Sequence, residues 1–359
     1  MPLSRRELMA KGRQGVGVAA ATTLVPAFAE PAAAAVPAEG GLAVPGRAIP
    51  VPKSVSPEAQ KYLSLSASLP PAPPLPAPDD KAGWERRIAQ QNEAMVQGYM
   101  RGPAFAGKTE TRTLKGGAPL YVCSPQEERS GVAYLDIHGG GLVFGAGEFA
   151  RRGGERQATV LGAKVFSVDY RMPPSHPYPV ALDDCLAAYD HVLEQYPASR
   201  IVVGGGSAGG NLAAALMLRA RDAGRPLPAA VVLTTPELDL TESGDSFATN
   251  LGVDSTLTRL LMPANLLYAN GHDLAHPYLS PLFGDFTKGF PPTFLMVGTR
   301  DLFLSNGARM QQALRRAKVP VELFLGEAMP HGGFAGSPEN AELDAEIRRF
   351  VHAAWDAKG

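Results

Sequence analysis

The stretch Gly204-Gly205-Gly206-Ser207-Ala208-Gly209-Gly210-Asn211 decides the fold. It follows a short apolar run and precedes a helical pattern, so we predict that it joins a buried strand to a helix. A Gly-x-Ser-x-Gly turn in this position is the nucleophile-elbow pattern, in which the serine hydroxyl projects from a strained turn. Gly205 and Gly209 are predicted to support this turn, because side chains there would clash with the flanking strand and helix.

A glycine-rich turn between strand and helix is also typical of dinucleotide-binding folds, where it cradles phosphate. Such folds place an acidic residue at the end of the following strand to hold a ribose. The next apolar run, 230–234, ends in threonines instead. The sequence therefore favours a nucleophile at Ser207 over a phosphate site, and it implies no cofactor.

Short apolar runs alternate with helical patterns along the chain from residue 109 onward. Because the later runs are continuously apolar, they predict an α/β fold with a mostly parallel eight-stranded sheet and helices on both faces. The first two strands are predicted to be antiparallel at one edge. The predicted strands are 109–115, 119–123, 132–137, 164–169, 200–203, 230–234, 293–297 and 321–325, and the main helices are 151–162, 179–195, 208–222, 303–318 and 339–356.

Other candidate site residues follow the ends of predicted strands, where ligands of such sheets bind. The run His138-Gly139-Gly140-Gly141 follows strand 132–137. Amide groups there can converge on a developing oxyanion, so we predict an oxyanion hole from the backbone N–H groups of Gly139, Gly140 and Ala208. His138 and Gly141 are predicted to support this loop. His138 is not predicted to be the catalytic base, because in folds with a nucleophile elbow the chain order is Ser, Asp, His, and His138 precedes Ser207.

The acid and base are predicted from the same chain order. Asp301 lies just past strand 293–297, and His331 lies in a glycine-rich loop past strand 321–325. Competing roles remain open, namely a helix cap for Asp301 and an ordinary surface-loop position for His331. Asp254, one of several acidic residues before Asp301, is rejected as the acid because no late strand precedes it.

Together these motifs resemble the hormone-sensitive-lipase-like family of α/β-hydrolases over residues 130–350. The segment Tyr170-Arg171-Met172-Pro173-Pro174-Ser175-His176-Pro177-Tyr178-Pro179 is similar to that family's Tyr-Arg-Leu-Ala-Pro-Glu-His-Pro-Phe-Pro. The resemblance implies esterase activity on small to medium acyl esters beneath a helical cap. This chain departs from the family at Gly206, where Asp or Thr is usual, and at Ser175, where Glu is usual.

Several alternatives stay open at this stage. The same triad serves lactone hydrolases and amidases. The small-molecule substrate is therefore expected to be an ester or a lactone, and an amide stays open as an alternative. A non-catalytic ligand-binding protein on this scaffold is disfavoured because serine, acid and histidine are all present. A metal at His272 and His276 is disfavoured because their surroundings suggest a loop. Cys123 and Cys185 are expected to be separate thiols rather than a disulfide.

Charge and composition divide the chain into three parts. Residues 1–29 carry a net charge of +3 and resemble a twin-arginine export signal. This resemblance predicts a periplasmic protein without a stable membrane anchor. If residues 1–29 are not an export signal, the protein is expected to be cytoplasmic. Residues 30–78 are Pro-rich and predict an extended leader that contains a short helix near 57–67. The hydrolase domain is predicted over 79–359, with cap elements at 79–105 and 237–290.

The overall charge limits the partners of the protein. Lys plus Arg (34) balance Asp plus Glu (35), which argues against a nucleic-acid partner. The oligomeric state stays open, a dimer included.

Overall fold

The computed structural model describes residues 41–42, 44, 46, 48–69, 72–99 and 104–357. The chain divides at residue 50, and Val51–Gly359 forms a compact unit around one eight-stranded sheet. The sheet has the order β1-β2-β4-β3-β5-β6-β7-β8. Strands β3 to β8 are parallel, whereas β2 pairs antiparallel with both β1 and β4. The predicted fold class and the antiparallel edge are therefore confirmed.

All eight predicted strands are present, with ends shifted by a few residues. The strands are β1 Gly107–Thr113, β2 Pro119–Pro125, β3 Arg129–Ile137, β4 Ala163–Val168, β5 Ile201–Gly206, β6 Ala230–Thr234, β7 Thr293–Gly298 and β8 Val321–Gly326. The helices are α1 Pro57–Ser66, α2 Lys81–Tyr99, α3 Glu148–Leu161, α4 Val180–Leu193, α5 Ala208–Asp222, α6 Ser246–Thr249, α7 Met262–Ala269, α8 Leu304–Arg316 and α9 Pro338–Asp356.

Apolar side chains on alternate positions of the strands fill two separate cores, one on each face of the sheet. In β3, Leu135 and Ile137 pack with helices α4, α5 and α8. Val132 and Tyr134, on the opposite face, pack with α1, α3 and α9. This alternation follows from the period of two in a strand, and burial on both faces explains why the central strands are apolar throughout.

The prediction that residues 30–78 form an extended leader is wrong for the part that contains α1. Val55, Ala59 and Leu63 are buried in the core shared with α9. The backbone N–H and hydroxyl of Ser56 donate to the two carboxylate oxygens of Glu339 at 2.6 and 2.8 Å. The helix itself was predicted, but its apolar residues are too few and too close to prolines to indicate that it joins the domain.

Helix α2 begins at Lys81 within the predicted cap element 79–105, and the Asp80 side chain accepts the Gly83 N–H at its start. Its Trp84 is fully buried and packs against Phe144 and Ala264 of α7. The two predicted cap regions, 79–105 and 237–290, therefore share one apolar cluster. Among the described residues, no helix has both the length and the apolar character needed to cross a membrane.

Candidate active site

The predicted elbow is a strained turn between β5 and α5. Ser207 has φ 56° and ψ −122°, a left-handed conformation that side chains rarely adopt. Its N–H donates to the Thr234 carbonyl at 2.9 Å, which ties the turn to the end of β6. A Cβ at Gly209 would lie 1.9 Å from the Ile137 carbonyl oxygen, and one at Gly205 would lie 2.4 Å from the Gly209 backbone. At both glycines, therefore, the neighbouring backbone leaves no room for a side chain.

The glycine that precedes the nucleophile has a local explanation. A Cβ at Gly206 would lie 2.9 Å from the Thr234 hydroxyl oxygen, so Thr234 occupies the space that an Asp or Thr side chain would need. Ser175, the second departure from the family pattern, lies exposed in the turn before His176. Of the two departures, only the one beside the nucleophile therefore has a neighbour, Thr234, that a larger side chain would meet.

The structure brings Ser207, His331 and Asp301 together in a continuous hydrogen-bonded chain. His331 Nε2 lies 2.9 Å from Ser207 Oγ, and His331 Nδ1 lies 3.1 Å from Asp301 Oδ1. Asp301 is fully buried, and the same Oδ1 also accepts the Phe303 N–H at 2.8 Å just before α8. Asp301 thus contacts the histidine and holds the backbone just before α8, but it does not cap that helix, whose N-cap residue is Phe303 and which has no side-chain cap.

The surroundings of His331 favour a charged ring once it has taken a proton. Burial opposes the charge, but attraction by Asp301, Asp254 and Glu237 outweighs it, and the pKa of His331 is raised above its ordinary value. The edge of the Phe303 ring packs against the imidazole at a centroid distance of 4.9 Å. Only 8% of His331 is exposed, so the ring is held between these groups.

The predicted oxyanion loop lies against the nucleophile. A Cβ at Gly139 would lie 3.3 Å from Ser207 Cβ, which places this residue beside the serine. Gly140 has φ 126°, and its carbonyl accepts the Phe144 N–H at 2.8 Å, so residues 140–144 form a tight turn. Ala208 directly follows Ser207 at the start of α5. Gly139 and Ala208 are therefore adjacent to Ser207 on different elements, with Gly140 next to Gly139.

His138 contacts the backbone of this loop rather than Ser207. Its Nδ1 donates to the Gly139 carbonyl at 2.8 Å, and its ring stacks on Tyr170 at 4.1 Å. The Tyr170 hydroxyl donates to the His138 carbonyl at 2.9 Å. Burial lowers the pKa of His138, which keeps the ring neutral. On the cap side, Asn92 of α2 accepts the Gly145 N–H at 2.8 Å.

Two buried carboxyl groups near the triad were not recognised from the sequence. Asp254 accepts the Leu302 N–H at 2.8 Å and the His331 N–H at 3.3 Å, and burial raises its pKa. The N–H of Glu237 donates to the Ser207 carbonyl, and burial raises the pKa of its side chain to about 8. Both lie in the connection after β6, where no motif distinguishes them from other acidic residues.

The remaining candidates form no second site in the described part of the chain. His272 Nδ1 bonds the Ala269 carbonyl, and His276 Nδ1 accepts the Tyr278 N–H, so both rings are engaged with backbone. No cluster of three or more metal-ligating side chains occurs among the residues that the structure describes. Cys123 in β2 and Cys185 in α4 are buried free thiols, as expected.

Comparison with known proteins gives relatives over most of the domain. A family model described as the alpha/beta hydrolase fold matches residues 134–335. An acetyl-hydrolase of Streptomyces hygroscopicus is 37% identical over 195 residues, which cover 54% of this chain and 65% of that protein. The esterase LipI of Mycobacterium tuberculosis is 34% identical over 60% of this chain and 69% of its own length.

Solved structures extend the similarity beyond the motif-bearing core. The crystal structure of an esterase matches with a TM-score of 0.79 and 35% identity, covering 87% of this chain and 98% of that one. An esterase from the bacterial hormone-sensitive lipase family matches with a TM-score of 0.71 and 30% identity, covering 84% of this chain and 99% of the other. The chain therefore belongs to the α/β-hydrolase family, and the resemblance to its hormone-sensitive-lipase-like members is confirmed.

Proposed function

We propose that this chain is a serine carboxylic-ester hydrolase for small to medium acyl esters, with Ser207, His331 and Asp301 as its catalytic triad. One observation carries the proposal, the hydrogen-bonded chain from Ser207 Oγ through His331 to Asp301, with contacts of 2.9 and 3.1 Å. It is supported by relatives named acetyl-hydrolase and esterase.

The first half of the reaction is acyl transfer to the enzyme. Ser207 Oγ attacks the ester carbonyl carbon while His331 Nε2 takes the hydroxyl proton. The Asp301 carboxylate accepts from Nδ1–H, which keeps the ring in the tautomer with Nε2 free and then stabilises the imidazolium. The raised pKa of His331 has the same cause. His331 then gives its proton to the leaving alcohol, and an acyl-Ser207 ester remains.

The oxyanion that forms during each addition step requires preorganised donors. The amides of Gly139, Gly140 and Ala208 are the groups next to Ser207 suited to this role, and each such donor contributes roughly 3–4 kcal/mol in comparable enzymes.

The second half of the reaction is hydrolysis of the acyl-enzyme. His331 takes a proton from water, and the water oxygen attacks the acyl carbon. As the intermediate collapses, His331 gives this proton to Ser207 Oγ, which leaves as the free hydroxyl, and the carboxylic acid is released.

The proposal is tested with purified protein on a panel of p-nitrophenyl esters of increasing chain length, γ- and δ-lactones, and anilides. We expect hydrolysis of the short esters and its loss in Ser207→Ala. Ser64→Ala, which removes an exposed hydroxyl in α1, is the matched control and should retain full activity. Turnover that persists in Ser207→Ala would contradict the assignment. Faster turnover of lactones or anilides would change the substrate class but leave the triad in place.

The cellular location is a separate proposal that rests on residues 1–29, which lie outside the described residues. The pair Arg5-Arg6, followed by a weakly apolar run and Ala27-Phe28-Ala29, supports export through the twin-arginine route. Proteins exported by this route fold before they cross the membrane. Such a route suits a domain whose two thiols are free and buried.

A further inference from the structure

One buried carboxylate outside the triad contacts both of the loops that carry the acid and the base. Asp254 lies in the connection between β6 and β7 and is only 1% exposed. Its Oδ2 accepts the N–H of Leu302, the residue directly after Asp301, at 2.8 Å. The backbone N–H of His331 itself is shared between its two oxygens at 3.3 Å each.

The same carboxylate is fixed by its own segment. Its Oδ1 accepts the N–H groups of Thr256 and Leu257 at 2.8 and 3.0 Å. Each of these hydrogen bonds is accepted from a backbone N–H, an arrangement that favours the ionised form of the side chain. In the preceding turn, the Asn250 side chain donates to the Asp301 carbonyl at 2.8 Å. The segment 250–257 thus holds the acid loop at two points.

We propose that Asp254 is a positioning residue of the active site, which holds the Asp301 and His331 loops in register and stabilises the protonated imidazole. The proposal rests on the proposed function, because it concerns how the triad is assembled. The two loops come from successive βα connections, after β7 and after β8. The distance between Asp301 and His331 therefore depends on what bridges those connections, and Asp254 is such a bridge.

The effect on the imidazole follows from the charges that face it. Asp301 faces the ring from the start of α8, Asp254 from the 250–257 segment, and Glu237 from the connection after β6. Burial raises the pKa of Glu237 to about 8, so it contributes little charge near neutral pH. Burial also raises the pKa of Asp254, but the backbone N–H groups of Leu302 and Thr256 favour its carboxylate. Asp301 and Asp254 therefore supply most of the negative charge that favours the imidazolium. Removal of either charge lowers the pKa of His331.

A role in holding the loops and a role in the electrostatics predict different changes, and Asp254→Asn measures both. An amide of the same size keeps one acceptor oxygen, but its NH₂ must face a backbone N–H on one side. The loops therefore shift, and the negative charge is lost. Asp254→Glu keeps the charge with altered geometry. Asp239→Asn is the matched control, since Asp239 is a fully buried aspartate that binds Thr241, Ser243 and Arg309 and touches neither triad loop.

The readout is the second-order rate constant for labelling of Ser207 by a fluorophosphonate between pH 5 and 9, with circular dichroism as a check on folding. For Asp254→Asn we expect a loss of about tenfold or more at pH 8. We also expect the acid limb of the pH profile, which is the fall in the labelling rate constant as the pH decreases, to be displaced to lower pH by about half a unit or more. Asp254→Glu and Asp239→Asn should keep the acid limb of the unmodified protein. A purely structural role would lower the rate without displacing the limb.

The outcomes separate this inference from the proposed function. If the unmodified protein is not labelled at Ser207, the triad assignment fails and the inference fails with it. If it is labelled and folded Asp254→Asn keeps the original acid limb, only the inference is overturned. If Asp254→Asn does not fold, Asp254→Glu decides, because a displaced limb in that variant would contradict a role for the charge.

Discussion

Replacing Gly209 with alanine has two opposite effects on stability, a gain in helix propensity and a steric clash. The structure allows their balance to be estimated. Gly209 lies in the first turn of α5, where alanine is favoured over glycine by about 1 kcal/mol of helix propensity. A Cβ there would lie 1.9 Å from the Ile137 carbonyl oxygen and 2.7 Å from that of His138. Real Cβ atoms essentially never approach closer than 3.0 Å, and backbone oxygens at a strand end cannot rotate away.

The clash therefore outweighs the gain in propensity. Relief requires α5 and the end of β3 to separate by about 1 Å, and overpacking of this kind costs about 1–3 kcal/mol. Taking the upper end, the free energy of unfolding falls by about 2 kcal/mol net, which lowers Tm by about 3 °C for a unit that spans Val51–Gly359. The separation also moves Gly139 and Gly140 away from Ala208, and a misplacement of 1 Å costs about 100-fold in rate.

Thermal unfolding and kcat/KM for p-nitrophenyl butyrate measure the two effects. Gly206→Ala is the matched control, because its Cβ would meet the Thr234 hydroxyl at 2.9 Å, and that side chain can rotate. We expect the control to lose much less stability than Gly209→Ala. A Gly209→Ala protein with unchanged or higher Tm and unchanged kcat/KM would refute the idea that close packing of α5 on β3 sets the oxyanion geometry.

Two further predictions concern the base and the N-terminus. Because the proposed mechanism uses the free base of His331 and the pKa of that group is raised, kcat/KM should fall as the pH decreases, with an inflection above 6.5; an inflection below that value, measured with short esters, would contradict the account of the carboxyl groups around the ring. Replacing Arg5 and Arg6 together with lysine should move the protein from the periplasmic to the cytoplasmic fraction, with Lys11→Arg as a control that keeps the charge and the arginine pair; unchanged fractionation would contradict twin-arginine export.

The elements that carry motifs could be predicted from the sequence because their constraints are local. The elbow glycines are required by contacts with Ile137 and with each other, and such close approach leaves a recognisable pattern around Ser207. Asp301 and His331 could be located because they directly follow apolar strands, whose carboxyl ends meet at one edge of the sheet. The central strands followed from continuous apolar runs buried on both faces, whereas β1 at the edge is polar and mostly exposed.

The supporting residues could not be predicted, because their roles arise from contacts between distant parts of the chain. Asp254 was set aside since no strand precedes it, yet it contacts His331, which lies 77 residues later. The packing of α1 likewise depends on Glu339, 283 residues from Ser56. The sequence gives no sign that Thr234 lies beside Gly206, because only the register of β5 with β6 brings the two together.

The central claim is that Ser207, activated by His331, is the nucleophile of an acyl-transfer reaction. The most direct measurement is intact-protein and peptide mass spectrometry after brief exposure to a fluorophosphonate at pH 8. The account predicts a single adduct on the peptide that contains Ser207, absent in Ser207→Ala and strongly slowed in His331→Ala. An unlabelled Ser207 in folded protein, or an adduct on another residue that accounts for loss of esterase activity, would contradict it.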